Sequence, residues 1–262
     1  DICEIEQKTK AYGRISAQTA KQVIIQGIRE AERGMMIKEY ESKQGEIISA
    51  TVERVDTNTG NVIVNTGTSH ATLLASEQIP GEVFQDGERT KVYVVEVTAS
   101  ERGPKVMISR THPGLVKRLF EMEVPEIFDG TVEIKSIARE AGSRTKMSVY
   151  SSDENVDPIG ACIGPKGARV GTIVEALGGE KIDIVIYDED PAKFIAAALA
   201  PADVLKVEID EEREKACHVT VPDTQLSLAI GNKGQNVSLA ARLTGWKIDI
   251  KPESGFYIPQ SK

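Results

Sequence analysis

The sequence predicts a multidomain protein: an N-terminal helix, then a small all-β barrel, then two α/β units in tandem. Three observations predict it. The apolar period is helical up to about residue 43, drops to two between Gly45 and Arg110, and alternates between the two thereafter. A residue string beginning at Ile163 returns at Ile230, an offset of 67 residues. And 262 residues suffice for two domains of ordinary size, or more small ones.

Taking the elements in order, Ser16 can cap a helix in which Ala20, Val23, Ile24, Ile28, Ala31 and Met35 recur at helical spacing. Lys21, Gln22, Arg29 and Glu30 occupy the opposite face, Gly34 weakens the pattern and Gly45 closes it. One amphipathic helix cannot bury its own apolar stripe, so this one is expected to pack on another part of the protein. Asp1-Ile2-Cys3-Glu4 contains neither an apolar run nor an initiating Met, and the expectation is a cut through a longer protein rather than a signal peptide.

The barrel follows. Glu46–Val52 begins a strand region, Asn58-Thr59-Gly60-Asn61 is a turn signal, and Val62-Ile63-Val64 is the next strand. Lys91–Val97 and Lys105–Ser109 are two more. About five short strands in some 65 residues make an OB fold the economical arrangement.

The tandem units come last. Ile163-Gly164-Pro165-Lys166-Gly167-Ala168-Arg169-Val170 returns as Ile230-Gly231-Asn232-Lys233-Gly234-Gln235-Asn236-Val237. Leu177-Gly178-Gly179-Glu180-Lys181-Ile182-Asp183-Ile184 likewise matches Leu243-Thr244-Gly245-Trp246-Lys247-Ile248-Asp249-Ile250 after one deletion. Paired strands precede each copy, at 131–137 with 145–150 and at 204–209 with 217–221, and a helix precedes each pair, near 112–122 and 191–200. Each unit therefore reads helix, strand, strand, helix, Gly-x-x-Gly, helix, strand. The expected domains are 1–43, 44–110, 111–190 and 191–262.

Charge narrows the partners. The chain carries 32 Lys+Arg against 40 Asp+Glu, net −8, with pI about 5.2. Such a protein does not coat duplex DNA or an anionic membrane indiscriminately. No stretch approaches the ~18–20 apolar residues of a spanning helix, so no membrane partner is expected. Cys3, Cys162 and Cys217 form no CxxC pair and His70, His112 and His218 do not cluster. Neither a disulfide scaffold, a metal nor another cofactor is implied, and a reducing cytoplasm fits. By segment, residues 1–43 hold 8 basic and 7 acidic residues, 44–130 hold 8 and 13, and 131–262 hold 16 and 20. Yet Gly231–Lys251 sets Lys233, Arg242, Lys247 and Lys251 against Asp249 alone.

A Gly-x-x-Gly between two helices makes a tight turn that a ligand can approach closely. The helix that follows offers N–H groups and a positive dipole end, which suit a phosphate. Lys166 and Lys233 stand at the same place inside the two loops, and Arg169 is available for a phosphate. Gln235 and Asn236 carry amides able to read base edges, while Ile163, Val170 and Ile230 offer apolar groove walls. A Walker loop is excluded, because Pro165 stands where its second Gly belongs and no Ser or Thr follows Lys166. The dinucleotide fingerprint fails at Cys162. Candidate base-stacking residues on the barrel reduce to His70, Phe84 and Tyr93. Trp246 is expected to pack between domains, and the acidic runs Asp188–Asp190 and Asp210–Glu212 are expected to be solvated turns.

The two repeats resemble tandem type II KH domains, whose Gly-x-x-Gly loop clamps the backbone of a single strand. Residues 45–110 resemble the S-one-type RNA-binding domain, an OB fold. The order of these parts is similar to that of the NusA family of bacterial transcription factors. So are the strings Pro125-Glu126-Ile127, Asp157-Pro158-Ile159-Gly160-Ala161-Cys162, Gly178–Val185, Ala200-Pro201-Ala202-Asp203-Val204, Ala229-Ile230-Gly231 and Gly234-Gln235-Asn236-Val237. The resemblance covers residues 14–252. It implies a non-catalytic regulator of pausing, termination and antitermination whose KH pair binds single-stranded nascent RNA. The site residues it implies are Ile163, Gly164, Pro165, Lys166, Gly167, Ala168, Arg169, Ile230, Gly231, Asn232, Lys233, Gly234, Gln235 and Asn236. RNA polymerase, held through an N-terminal domain of which residues 1–43 are the tail, and other elongation and antitermination factors are the implied protein partners. The competing reading is the RNA-binding part of a phosphorolytic exoribonuclease, which carries KH and S-one-type domains too. There, however, the barrel comes last, after large catalytic domains. A ribosomal protein with one KH domain is excluded by the duplication and the acidic charge.

Overall fold

The computed structural model describes residues 14–67, 69–100 and 103–255. Helix α1 is described over Arg14–Glu41, so Ser16 lies within the helix and is not the cap the sequence suggested. Val23, Ile24, Ile28 and Met35 are exposed along it, and among the described residues of the helix only Tyr40, at the last turn, is fully buried. Tyr40 enters the barrel core, where its hydroxyl lies 2.5 Å from Thr66 Oγ1.

The barrel is closed by β1 (Ile47–Val55), β2 (Val62–Asn65), β3 (His70–Leu73), β4 (Arg89–Ser100) and β5 (Gly103–Ser109), in the order β1-β2-β3-β5-β4. Period-two alternation sends Ala50, Val52, Val62, Val64, Ala71, Leu73, Val92, Val94, Val106 and Ile108 inward. Bulges between Val52 and Arg54 and between Val94 and Glu96 bend β1 and β4 as a small barrel requires. An OB-like barrel is what the strand spacing predicted.

The first α/β unit contains α2 (Pro113–Glu123), α3 (Pro125–Phe128), β6 (Val132–Glu140), β7 (Arg144–Ser151), α4 (Pro158–Ile163), α5 (Ala168–Ala176) and β8 (Lys181–Ile186). The second contains α6 (Pro191–Ala198), β9 (Lys206–Asp210), β10 (Ala216–Val221), α7 (Leu226–Ile230), α8 (Gln235–Thr244) and β11 (Lys247–Pro252). In each sheet the middle strand pairs antiparallel with the strand before it and parallel with the last. Three helices start alike, with a capping side chain followed by proline. His112 Nδ1 accepts from Gly114 N, Asp157 from Ile159 N and Asp190 from Ala192 N.

Polar ties fix these bodies to one another. Arg110, 5% exposed, donates to both Glu82 carboxylate oxygens and to Lys91 O in the barrel, and to Ala176 O at the end of α5 at 3.1 Å. Tyr93 of β4 stacks on His112 at 4.7 Å and packs against Gly114 so closely that a Cβ there would meet its ring at 2.4 Å. Buried Arg139 reaches Glu180 through Nε and Nη2 (3.0 and 2.9 Å), and also donates to Arg110 O and His112 O. Thr145 and Gly142 N donate to the same Glu180 carboxylate, which is thereby fully partnered.

The second unit covers the outer face of the first unit's sheet. Ala138 of β6 and Val185 of β8 join its apolar core, and Lys146 of β7 donates to Ala200 O at 2.6 Å. Burial pushes the Lys146 ammonium down while Asp183, 3.2 Å away, opposes the shift. The registers make each row of one sheet comparable with a row of the other. Where the first sheet has Ala138, Lys146 and Asp183, the second has Glu208, His218 and Asp249. Where the first has Ser136, Ser148 and Val185, the second has Lys206, Thr220 and Lys251. Glu208, Asp249, Lys206 and Lys251 are all exposed.

Candidate nucleic-acid interface

The two repeated loops have the same backbone. Helix α4 ends on Gly164 (φ 72, ψ 174), a short 3-10 turn follows at Pro165–Gly167, and α5 begins at Ala168. Helix α7 ends on Gly231 (φ 78, ψ 172), the turn is Asn232–Gly234, and α8 begins at Gln235. Inside them Lys166 (φ 53, ψ 24) and Lys233 (φ 52, ψ 27) adopt left-handed backbone, which costs a residue with a Cβ about 1 kcal/mol. Both lysines are exposed, and neither ammonium has an ion-pair partner among the described residues.

The glycines of each loop do different work. A Cβ on Gly164 would lie 2.6 Å from Arg169 Cγ, and one on Gly231 would lie 2.7 Å from Asn236 N. Gly167 and Gly234 have nothing within 4 Å of such an atom but sit at φ 78 and 77. The first glycine lets the following helix press against the turn, and the second completes the left-handed reversal while leaving its outer side open.

Arg169 and Asn236 are equivalent positions, and each is engaged within the fold. Arg169 Nη1 donates to Ala161 O at 2.6 Å and to Glu126 at 2.9 Å. Asn236 is 3% exposed, and its Nδ2 donates to Ala229 O and Leu199 O at 3.0 Å each. Both side chains tie the loop-bearing helix back to main-chain carbonyls of the helix before it. Asn236 Oδ1 has no partner, yet it is buried in the fold and not presented to a base edge. Asn236 is thus held in the fold by its amide, while Arg169 supports the loop through Nη1 and keeps part of its guanidinium exposed.

Gln235 is half-buried, and its Nε2 donates to Ser143 Oγ at 2.7 Å, in the turn between β6 and β7 of the other unit. Pro165, Lys166, Ala168, Asn232 and Lys233 are exposed. Ile163 is exposed beside its loop and Val170 and Ile230 are partly so. Two further exposed apolar residues, Ile186 and Leu228, escaped the sequence reading. Ile186 continues the side of β8 on which Ile182 and Ile184 join the first unit's core. The alternation of Ile182, Ile184 and Ile186 was the signal that could have found it.

On the barrel, Tyr93 is taken by His112 and Phe84 packs on the barrel core. His70 stays on the surface, 2.9 Å from Glu53. It lines a groove of about 550 Å³ with Thr72, Lys105, Met107 and His112. Asp190 and Asp210 serve local turns and a helix cap. Cys162 and Cys217 are buried, and burial pushes their thiols up to about 12 and about 11. Cys3 lies outside the described residues.

A closed OB-like barrel joined to two KH-type units, each with an exposed lysine in a strained Gly-x-x-Gly turn, defines a multidomain KH protein. Family models bear this out: the NusA-like first KH domain matches residues 110–187, the NusA-like second KH domain 191–257, and the NusA N-terminal domain 1–34. The transcription termination/antitermination protein NusA of Halalkalibacterium halodurans is 56% identical over 97% of this chain and 66% of its own length. The proteins of that name from Bacillus subtilis and Mycobacterium tuberculosis are 55% and 48% identical, with 68% and 75% of their lengths covered. The chain belongs to the NusA family, and it spans about two thirds of the length of the first two of these relatives.

Proposed function

We propose that this chain is the RNA-binding part of a non-catalytic bacterial transcription elongation factor. It holds single-stranded nascent RNA on its paired KH loops and thereby acts on pausing, intrinsic termination and antitermination. The observation that carries this reading is the pair of loops with one backbone geometry, each exposing an unpaired lysine, on two units locked together by Lys146, Arg242 and Gln235. Two phosphate clamps in fixed relation suit one continuous strand. The names of the relatives support transcription termination and antitermination rather than RNA degradation. RNA polymerase, reached through the N-terminal domain matched at residues 1–34, and other elongation factors are the protein partners of this reading, and the cytoplasm its location.

Replacing Pro165-Lys166 and Asn232-Lys233 by Asp-Asp should abolish RNA binding and leave the circular dichroism spectrum unchanged. All four residues are exposed, so the fold does not depend on them. Fluorescence anisotropy with randomised RNA 12-mers reads the affinity. Unchanged affinity would remove the loops from the site, and phosphate-dependent release of nucleotides from RNA would restore the exoribonuclease reading.

A further inference from the structure

The second phosphate loop is not built by its own unit alone. A groove of about 320 Å³ is lined by Asn232, Lys233, Gly234, Gln235 and Ser238 of the second unit and by Glu140 and Ser143 of the first. Ser143 accepts the hydrogen bond from Gln235 and so holds the start of α8 over the turn between β6 and β7. Arg242, further along α8, donates to Arg139 O at 3.1 Å and fixes the same helix a second time. The groove is thus a seam between two units whose relative position is set.

Glu140 is the unexpected lining group. A carboxylate accepts hydrogen bonds and repels phosphate, so beside a phosphate loop it needs another purpose. Its cross-strand neighbour Arg144 could have neutralised it but is turned to Asp183 instead, at 2.7 and 3.1 Å. Glu140 is exposed, and its carboxylate has no hydrogen-bond or ion-pair partner among the described residues. Lys233 is equally unengaged, which leaves one free cation and one free acceptor lining the same groove.

A nucleotide backbone unit in RNA presents that pair of complements: an anionic phosphate, and a ribose 2′-hydroxyl that donates a hydrogen bond. DNA has the phosphate and lacks the hydroxyl. We infer that Glu140 is a specificity-determining residue that accepts the 2′-hydroxyl of the nucleotide held at the second loop, selecting RNA over single-stranded DNA. Lys233 and the loop backbone hold the phosphate, and Ser143 positions the two halves of the seam. The inference rests on the RNA-binding reading above.

The test uses the whole chain and three labelled 12-mer pools of randomised sequence: RNA, DNA and 2′-O-methyl RNA. The last keeps an acceptor at the 2′ position but no donor. The native protein should prefer RNA to both others by about ten-fold, the worth of one hydrogen bond to a charged group. Glu140→Ala, at an exposed position, should lower RNA affinity by about that factor and leave DNA and 2′-O-methyl affinities unchanged or slightly raised. The three pools then bind alike. An RNA preference that persists in Glu140→Ala overturns the inference, as does an equal loss for all three pools, which would mean that Glu140 reads a base. The Asn232-Lys233 to Asp-Asp variant separates the two levels: if it binds RNA as well as the native protein does, the loop reading itself has failed.

Discussion

Gly231→Ala and Gly234→Ala make the same chemical change three residues apart in one loop, and the geometry gives them different costs. At Gly231, φ 78 with ψ 172 is a region held almost only by glycine, so an alanine there costs about 1–3 kcal/mol in backbone strain. Its Cβ would stand 2.7 Å from Asn236 N and 2.8 Å from Asn236 Cβ. Those atoms belong to the first turn of α8, which Asn236 ties to Leu199 O and Ala229 O, so relief requires the helix to move. Overpacking of that kind adds about 1–3 kcal/mol, for a total of about 2–6. At Gly234 the backbone is ordinary left-handed helix, nothing lies within 4 Å, and the cost is about 1 kcal/mol. Gly164→Ala falls between them, because the atoms it meets belong to the flexible Arg169 side chain. Trp246 is the one tryptophan in the chain and packs against the second unit's core, so its fluorescence reports unfolding of that unit in urea. Two outcomes would refute the reasoning: Gly234→Ala as damaging as Gly231→Ala, or Gly231→Ala within about 1 kcal/mol of the native protein.

Two other outcomes are expected. Glu180→Ala leaves Arg139 buried without its counter-charge and should cost about 3–5 kcal/mol. A double-mutant cycle with Arg139→Met should give a coupling of about 2 kcal/mol or more, and a coupling under about 0.5 kcal/mol would deny that the pair acts as one unit. In a Cys3→Ser background the thiols pushed up to about 12 and about 11 should resist alkylation near pH 8 and react fully in urea. Because their folded-state values are raised, their contribution to stability is whole below the ordinary value of 9.0 and is lost as pH rises toward about 11 and about 12. The urea midpoint should therefore fall over that window, and fall less in Cys162→Ala/Cys217→Ala. Equal pH slopes would contradict it.

The parts of the fold that depend on local pattern were legible in the sequence. The repeat gave both loops, the strands flanking them, and the helix before each pair. The barrel strands showed in their alternation, except β3, whose four residues are too short a run to display a period. Ser16 was misread as a cap because a serine is tolerated inside a helix as well as ahead of it. What stayed hidden was settled by partners distant in sequence. Nothing local marks Lys146 as buried, yet both faces of β7 are covered and its ammonium ends on a carbonyl of the next unit. Glu180 follows two glycines with nothing local to mark it as buried, yet it is fully buried against Arg139. Arg169 and Asn236 read as ligand contacts because their position beside the loop was visible, whereas the carbonyls they bind were not.

The unequal faces of the two KH sheets bear on how the molecule behaves in company. A helix layer laid on the sheet of a like unit is a head-to-tail contact, and a head-to-tail contact that does not close on itself can add units into an open fibre. The first sheet accepts its neighbour with Ala138, Ser136 and Val185; the second has Glu208, Lys206 and Lys251 in those places, all solvated. Docking another copy there would strip water from three charged groups, the Lys206–Glu208 ion pair and Lys251. Within the described residues the second sheet thus presents charge where the first presents a docking face. A second copy of such a unit therefore meets charges on this sheet face that the first sheet does not have.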